Sequence, residues 1–314
     1  MARTLLLRIG QALITLWIVS ILVFAAAQVI PGDVGRTILG PYATNGQVAQ
    51  LDHKLGTDRP YVQQYWTWIT DFVRGYWGES AVQNQPVRPL VLTAFKNSLY
   101  LGLFALVLII PISIGFGVLA ALHYGKATDR IISVTGLSLI ALPEFVMGVT
   151  VALIFGVKLR WLPVDSSVPS LADPVDWFRQ FLLPAIPLMF MLFGYISRMA
   201  RAGTVEALQS NYVRTATLKG LPTRTVIRRH VLRNSLLPTI TVIGVQIGYL
   251  VGGLVVIETI FRYPGIGQLT LQAALGHDLP TLQAAVLLIA IVYMISNLVA
   301  DILYTVLNPR VQLA

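Results

Sequence analysis

The stretch "NSLYLGLFALVLIIPISIGFGVLAAL", residues 97–122, contains 26 residues and no charged side chain. A transmembrane helix needs roughly 20 consecutive apolar residues. In hydrocarbon, a helix satisfies its own backbone hydrogen bonds, whereas an open strand leaves them unpaired. The stretch therefore predicts a helix that spans a membrane.

The composition of the whole chain agrees with a protein that is partly solvated by lipid. Only 12% of its 314 residues are charged, and the mean hydropathy is +0.71; soluble domains carry roughly 25% charged residues. Apolar runs predict spans at about 9–30, 97–122, 131–157, 180–199, 235–258 and 280–304. The predicted fold class is an all-α polytopic membrane protein with six transmembrane helices in one domain.

The first run could be a signal peptide or a first membrane span, because basic residues precede it and three alanines lie near its end. A signal peptide has an apolar core of roughly 7–15 residues, and the uncharged run 9–32 is longer, at 24 residues. We therefore expect an uncleaved first span.

The distribution of basic residues predicts the orientation. With a cytoplasmic N-terminus, the four inside segments hold 13 basic residues against two acidic ones. The other ten basic residues lie in longer outside loops that also carry nine acidic ones. This is the positive-inside pattern, so both termini are predicted to be cytoplasmic. The net charge of +9 then reflects topology and contact with membrane lipid, and no nucleic-acid partner is expected.

The outside loop 31–96 is too long for a simple connector. Within it, aromatic residues recur at helical spacing from Tyr61 to Tyr76, which predicts an interfacial helix at about 58–77. Amphipathic rings are favoured at a membrane surface. The helix is either a structural lid or a docking surface for an external partner, and the two roles are compatible.

No catalytic motif is present in the sequence. The chain has no cysteine, four widely spaced histidines and no phosphate-binding loop, so we predict neither an enzyme nor a metal site. Acidic residues in the predicted spans are few: Glu144 lies within the third span, and Glu258 and Asp301 lie at the ends of the last two. A carboxylate within a span is costly, so Glu144 is either a buried neutral group or a contact for a cationic group on a substrate pathway.

Glycines and prolines mark packing and bends within the spans. Gly244, Gly248 and Gly252 recur every four residues and predict a close helix contact, either within the subunit or between subunits. Prolines inside other spans predict kinks; they are Pro111, Pro143, Pro184 and Pro187.

The longest inside segment, 201–233, carries a pattern that positive charge alone does not explain. Gly220-Leu221-Pro222 predicts a helix stop and a turn, followed by a helix that Thr223 caps. An apolar stripe follows among arginines, formed by Val226, Ile227, His230 and Val231. A helix, a tight corner and a second helix projecting from a membrane domain favour a protein partner.

The segment "YVRTATLKGLPTRTVIRRHVLRNSLLP", 212–238, resembles the coupling loop of ATP-binding-cassette importer permeases of the dipeptide/oligopeptide/nickel type. Arg214, Thr215 and Ala216 stand where the general importer loop has Glu-Ala-Ala, and Gly220 matches its glycine. Five further segments resemble the family in order. They are "SILVFAAAQVIPGD" (20–33), "LGTDRPYVQQYWTWITDFVRGYWGES" (55–80), "LAALHYGKATDR" (119–130), "ETIFRYPGIGQL" (258–269) and "DILYTVLNPR" (301–310). Glu144 departs from the small or polar residue expected there.

The resemblance implies a type I importer permease-like fold in a bacterial plasma membrane. It implies a second homologous permease, two ATPase domains that bind ATP and Mg, and an external solute-binding protein. The coupling loop would contact an ATPase, and this chain would have no cofactor of its own. The cargo would be a di- or oligopeptide, with glutathione, nickel or a metal chelate as alternatives. A nucleotide-independent secondary transporter and a non-transporting scaffold remain the rival classes.

Overall fold

The computed structural model describes residues 2–29, 42–55, 58–166 and 173–307. Within these ranges the chain is helical apart from turns and one isolated bridge between Glu79 and Pro86. The helices are α1 Ala2–Val29, α2 Asn45–Leu55, α3 Tyr61–Arg74, α4 Val87–Leu122, α5 Ala127–Ala141, α6 Glu144–Val151, α7 Pro174–Leu208, α8 Asn211–Leu218, α9 Thr223–Thr225, α10 Leu232–Ser235, α11 Leu237–Ile260, α12 Ile266–Leu275 and α13 Leu279–Leu307. Two π-helical turns, Ala152–Lys158 and Val226–Val231, continue α6 and α9.

Four of the described helices are long and apolar enough to cross a membrane. Their qualifying parts are Leu7–Gln28, Val87–Leu122, Val175–Leu208 and Leu279–Ala300. The pair formed by α5 and α6 passes the same test together and would make a fifth. Within α11, Leu237–Ile247 is a shorter apolar helix. The structure thus confirms an all-helical protein with four or five candidate spans.

The third predicted span, 131–157, is two helices that meet at an angle of 103°. Pro143 has no N–H to donate, and it forces Leu142 before it out of the helical region, with ψ 130°. The kink predicted at Pro143 is therefore a complete break. By contrast, α4 continues through Pro111, and α7 continues through Pro184 and Pro187.

The described residues divide into two compact units. The first comprises Met1–Ser98 and Pro264–Met294. In it, α3 packs on α1 through Tyr65, whose hydroxyl lies 2.8 Å from Ser20 Oγ and whose ring contacts Phe24. The predicted helix 58–77 is the shorter α3, which ends at Gly75 with a φ of +89°. On its aromatic face, Tyr65 and Trp68 contact Phe24 of α1, whereas Tyr61 at the start of the helix is exposed.

The second unit comprises Leu99–Tyr263 and Ile295–Ala314. Helix α7 is its centre, because α5, α6 and α11 all pack against it. The core is apolar and includes the fully buried side chains of Leu101, Phe181, Leu192 and Ile257. Helix α7 also leads directly into the predicted coupling loop, so the loop is joined to the best-packed element of this unit.

Candidate coupling loop and pathway site

The loop after α7 has the helix–corner–helix form predicted for it. Helix α8 ends at Leu218, and Gly220 has a φ of +71°, in the left-handed region that favours glycine. The Leu221 N–H then donates to the Ala216 carbonyl at 3.3 Å and closes the corner. The chain turns once more than expected, because α7 and α8 are separate helices on either side of Gln209 and Ser210.

The second arm of the loop begins at Thr223, which is the first residue of α9 and makes no side-chain cap. The predicted capping role of Thr223 is therefore wrong. Pro222 occupies the capping position instead, with ψ 139°. Proline is suited to a helix start, where a backbone N–H would have no helical partner.

The loop has a small hydrophobic core of its own, which corrects the predicted contact surface. Its buried residues are Ala207, Val213, Ala216, Val226 and Val231. Val226 is only 5% exposed, and so is Ala216. Val226 and Val231 of the predicted stripe are thus packed inside the loop, and only Ile227 and His230 of the stripe reach its surface.

Other apolar side chains of the loop do face outward. Leu218 is 79% exposed and Leu221 is 38% exposed, on the two sides of Gly220. Ile227 and His230 are partly exposed, while Arg214, Thr215 and Pro222 are exposed. Arg224, Arg228 and Arg229 surround a shallow open depression beside the corner. The accessible surface of the loop is thus an apolar corner beside a basic patch.

Close contacts between α7 and α10 join the two ends of the loop. A Cβ placed on Gly203 of α7 would overlap the carbonyl oxygen of Ser235 in α10, so the two helices touch at their backbones. Thr204 Oγ1 donates to Ser235 Oγ at 3.4 Å in the same contact. Helices α7 and α10 are therefore packed closely at the two ends of the loop.

An ion pair that the sequence did not reveal lies at the root of the loop. The Arg201 guanidinium of α7 donates two hydrogen bonds to the Asp129 carboxylate of α5, one of them 2.8 Å long. Gly125 N–H and Ser133 Oγ also donate to Asp129, and Arg201 lies 5.3 Å from the centre of the Tyr124 ring. The sequence did contain a hint of this pair, because Asp129 is one of only two acidic residues in the predicted inside segments.

Glu144 is the first residue of α6, directly after the break at Pro143. Its Oε1 atom is buried and has no hydrogen-bond partner among the described residues. Gly148, one turn further along α6, packs against Ile257 and Ile260 of α11. A carboxylate oxygen is thus held without a partner beside an apolar helix contact.

The glycine stripe of α11 is described at one of its three positions. A Cβ on Gly244 would lie 3.0 Å from the Cβ of Ala300 in α13, so Gly244 packs within the same chain. The surroundings of Gly248 and Gly252 lie outside the described residues. No group of three or more His, Asp or Glu side chains in the described part of the chain is arranged to hold a metal ion.

Comparison with known proteins defines the class. Residues 113–313 match the family described as binding-protein-dependent transport system inner membrane component. Residues 1–99 match the N-terminal family of such membrane components. The chain therefore belongs to this family, and it is a permease component of the ATP-binding-cassette importers of the peptide and nickel type.

Particular relatives are similar over almost their whole length. The chain is 33% identical over 298 residues to the glutathione transport system permease protein GsiC of Escherichia coli strain K12, which covers 95% of both chains. GsiC of Shigella dysenteriae serotype 1 matches equally well. The probable peptide ABC transporter permease protein y4tP of Sinorhizobium fredii is 32% identical over 305 residues, 97% of both chains.

Proposed function

We propose that this chain forms half of the translocation pathway of an ATP-driven importer of di- or oligopeptides. Similarity over at least 95% of the chain to permeases named for glutathione and for peptides carries this proposal. The chain would supply no catalysis. Two partner ATPase domains would bind ATP and Mg, and their closure would select one of two packings of the membrane helices.

The proposed topology has six spans, with both termini in the cytoplasm of a bacterium. Five of the spans would come from α1, α4, the broken pair α5–α6, α7 and α13, and the sixth from α11, which is 24 residues long. The basic residues of the inside segments support this orientation. The partners would be a second homologous permease, the two ATPase domains, an external solute-binding protein and membrane lipid.

The contact with an ATPase domain would be made by the corner of the coupling loop. Leu218 and Leu221 present apolar surface on either side of Gly220, and a partner socket would remove that surface from water. Ile227 and His230 would lie at the edge of the contact, because they are only partly exposed. Ala216 and Val226 would act indirectly, by keeping the corner folded.

Glu144 is proposed to lie on the substrate pathway. Its unpartnered carboxylate oxygen follows a broken helix, and discontinuous membrane helices often border transport sites. A cationic group on a passing solute would satisfy the carboxylate. The interfacial helix α3 would act as a lid anchored on α1. Its exposed Tyr61 and Trp66, and Tyr76 just after it, would lie at the membrane surface or against the binding protein.

Glutathione is a second candidate cargo. It is a tripeptide with an unusual γ-glutamyl linkage, and GsiC is named for its transport. Nickel or a metal chelate remains a further alternative within the peptide and nickel type. Much of the choice among these would lie with the external binding protein.

Affinity purification of the chain from its native membrane tests the proposal. We expect two ATPase domains and a second permease to co-purify, and the reconstituted complex to import labelled di- and tripeptides only with ATP. Parallel uptake of glutathione and nickel would identify the cargo. Uptake that continues without nucleotide would instead establish a secondary transporter, and intact uptake after deletion of this chain would establish a scaffold.

A further inference from the structure

A groove of about 320 Å³ runs between α5 and α7 in the second unit. The two helices touch at glycines, because a Cβ on Gly194 would overlap the Gly136 carbonyl oxygen. Because glycine has no side chain, the groove opens directly beside this contact. The groove is lined by Ile132, Ser133, Gly136, Leu137, Gly194, Ser197, Arg198 and Arg201.

The chemistry of the groove changes along its length. Next to the Asp129–Arg201 ion pair, the lining consists of Ser133, Arg198 and Arg201. One to two turns further from the pair, the lining is formed by the two glycines, Leu137 and Ser197, whose hydroxyl lies beside Gly136. The groove is therefore cationic at one end and mainly apolar, with one serine, at the other.

The cationic end carries one charge that Asp129 does not balance. Arg201 is held by Asp129 in a bidentate pair. Arg198 is exposed, lines the groove and forms no ion pair with any described residue. A negatively charged group such as a phosphate would balance this charge.

We propose that this groove binds a phospholipid with an anionic headgroup. Its phosphate would contact the Arg198 guanidinium, and its first acyl methylenes would lie along Ile132 and Leu137. Basic grooves between membrane helices on the cytoplasmic side suit anionic headgroups. The proposal rests on the orientation proposed above, which places the Asp129 end of α5 at the cytoplasmic surface.

A lipid is favoured over a free phosphate ion by the apolar end of the groove. A soluble anion would use only the arginine side chains and would leave Leu137 facing water. A lipid covers both ends, and the apolar wall adds affinity in proportion to the buried methylenes. The groove would thereby hold α5 and α7 together at the root of the coupling loop.

Lipid titration of the purified full-length chain in neutral detergent tests this inference, with the bound lipid counted by native mass spectrometry. We expect phosphatidylglycerol to bind more tightly than phosphatidylcholine. Arg198→Gln should weaken phosphatidylglycerol binding about fivefold, the effect of one basic residue at an anionic surface. Arg198→Lys should retain most of the affinity because it keeps the charge.

The matched control is Arg130→Gln, which removes an exposed arginine of α5 that does not line the groove. It should leave binding unchanged. Equal loss in Arg198→Gln and Arg130→Gln would overturn the proposal, as would equal binding of the two lipids. If inorganic phosphate competes as well as phosphatidylglycerol, the site takes a soluble anion and the lipid assignment is wrong. No transport step is measured, so the outcome is independent of the cargo and of the ATPase partners.

Discussion

Glu144 is an acidic residue that directly follows a break in a membrane helix. Its Oε1 atom is buried without a hydrogen bond in the described part of the chain. An unsatisfied buried polar group costs free energy, so it persists where something outside the chain compensates or where the carboxyl stays neutral. A cationic group on the cargo is the compensation that the proposed function supplies.

Replacing Glu144 by Gln should separate these two explanations. If the carboxylate binds the cation, uptake of lysine-containing dipeptides should fall about tenfold, the loss of one charge-assisted hydrogen bond. Uptake of dipeptides with acidic side chains should change much less. Competition uptake assays with the two peptide classes measure this selectivity.

The control for this substitution is Glu79→Gln, which alters an exposed carboxylate in the outside segment. Membrane abundance of both variants is checked by immunoblot. No loss of uptake for either peptide class would show that Glu144 is a structural group.

At the scale of helices, α5 and α7 are joined by several contacts of different kinds. Gly136 and Gly194 bring their backbones together, and Asp129 and Arg201 pair at the end next to the coupling loop. The Asp129 side chain is 7% exposed and that of Arg201 is 28% exposed. A pair this shielded is costly to break, because one charge would remain without its partner.

Asp129→Asn and Arg201→Met should each lower the stability of the purified chain by about 2 kcal/mol, less than the cost for a fully buried pair because Arg201 is partly in water. Thermal denaturation in detergent measures the effect. The double exchange of Asp129→Arg with Arg201→Asp should recover only part of it, since the Gly125 N–H would lose its acceptor. Additive losses in the double variant would contradict a direct pairing.

At the scale of the whole transporter, the role proposed for the coupling loop is to link nucleotide chemistry in a partner to movement in this chain. Its exposed corner is separable from its internal core, because Leu221 faces outward while Val226 is buried. A substitution at the corner should therefore affect coupling, whereas one in the core should unfold the loop.

Leu221→Asp should reduce ATP-dependent uptake more than tenfold, because a charge in an apolar contact must be desolvated, while the isolated chain keeps its thermal stability. Gly220→Val should act similarly, with an added cost because a β-branched residue is strained at a φ of +71°. Uptake and ATP hydrolysis are measured together in the reconstituted complex. Gln209→Ala is the exposed control from the same loop, and normal coupling in both corner variants would exclude this contact.

The sequence alone predicted much of this architecture, for reasons that are local. Apolar runs of about 20 residues require helices in lipid, and the helices found at 97–122 and 180–199 extend those runs into their flanks. The corner at Gly220 was equally predictable, because a left-handed residue followed by proline needs no tertiary partner.

The tertiary structure decided what depends on residues far apart in the chain. The pairing of Asp129 with Arg201 joins positions 72 residues apart, and no helical period reports it. Tertiary packing likewise determined which residues of the coupling loop are buried. Val213 and Val226 lie in one buried cluster, so part of the predicted contact stripe forms the core of the loop. Helical periodicity shows that a face is apolar, whereas only the assembled helices determine whether that face meets its own chain, a lipid or a partner.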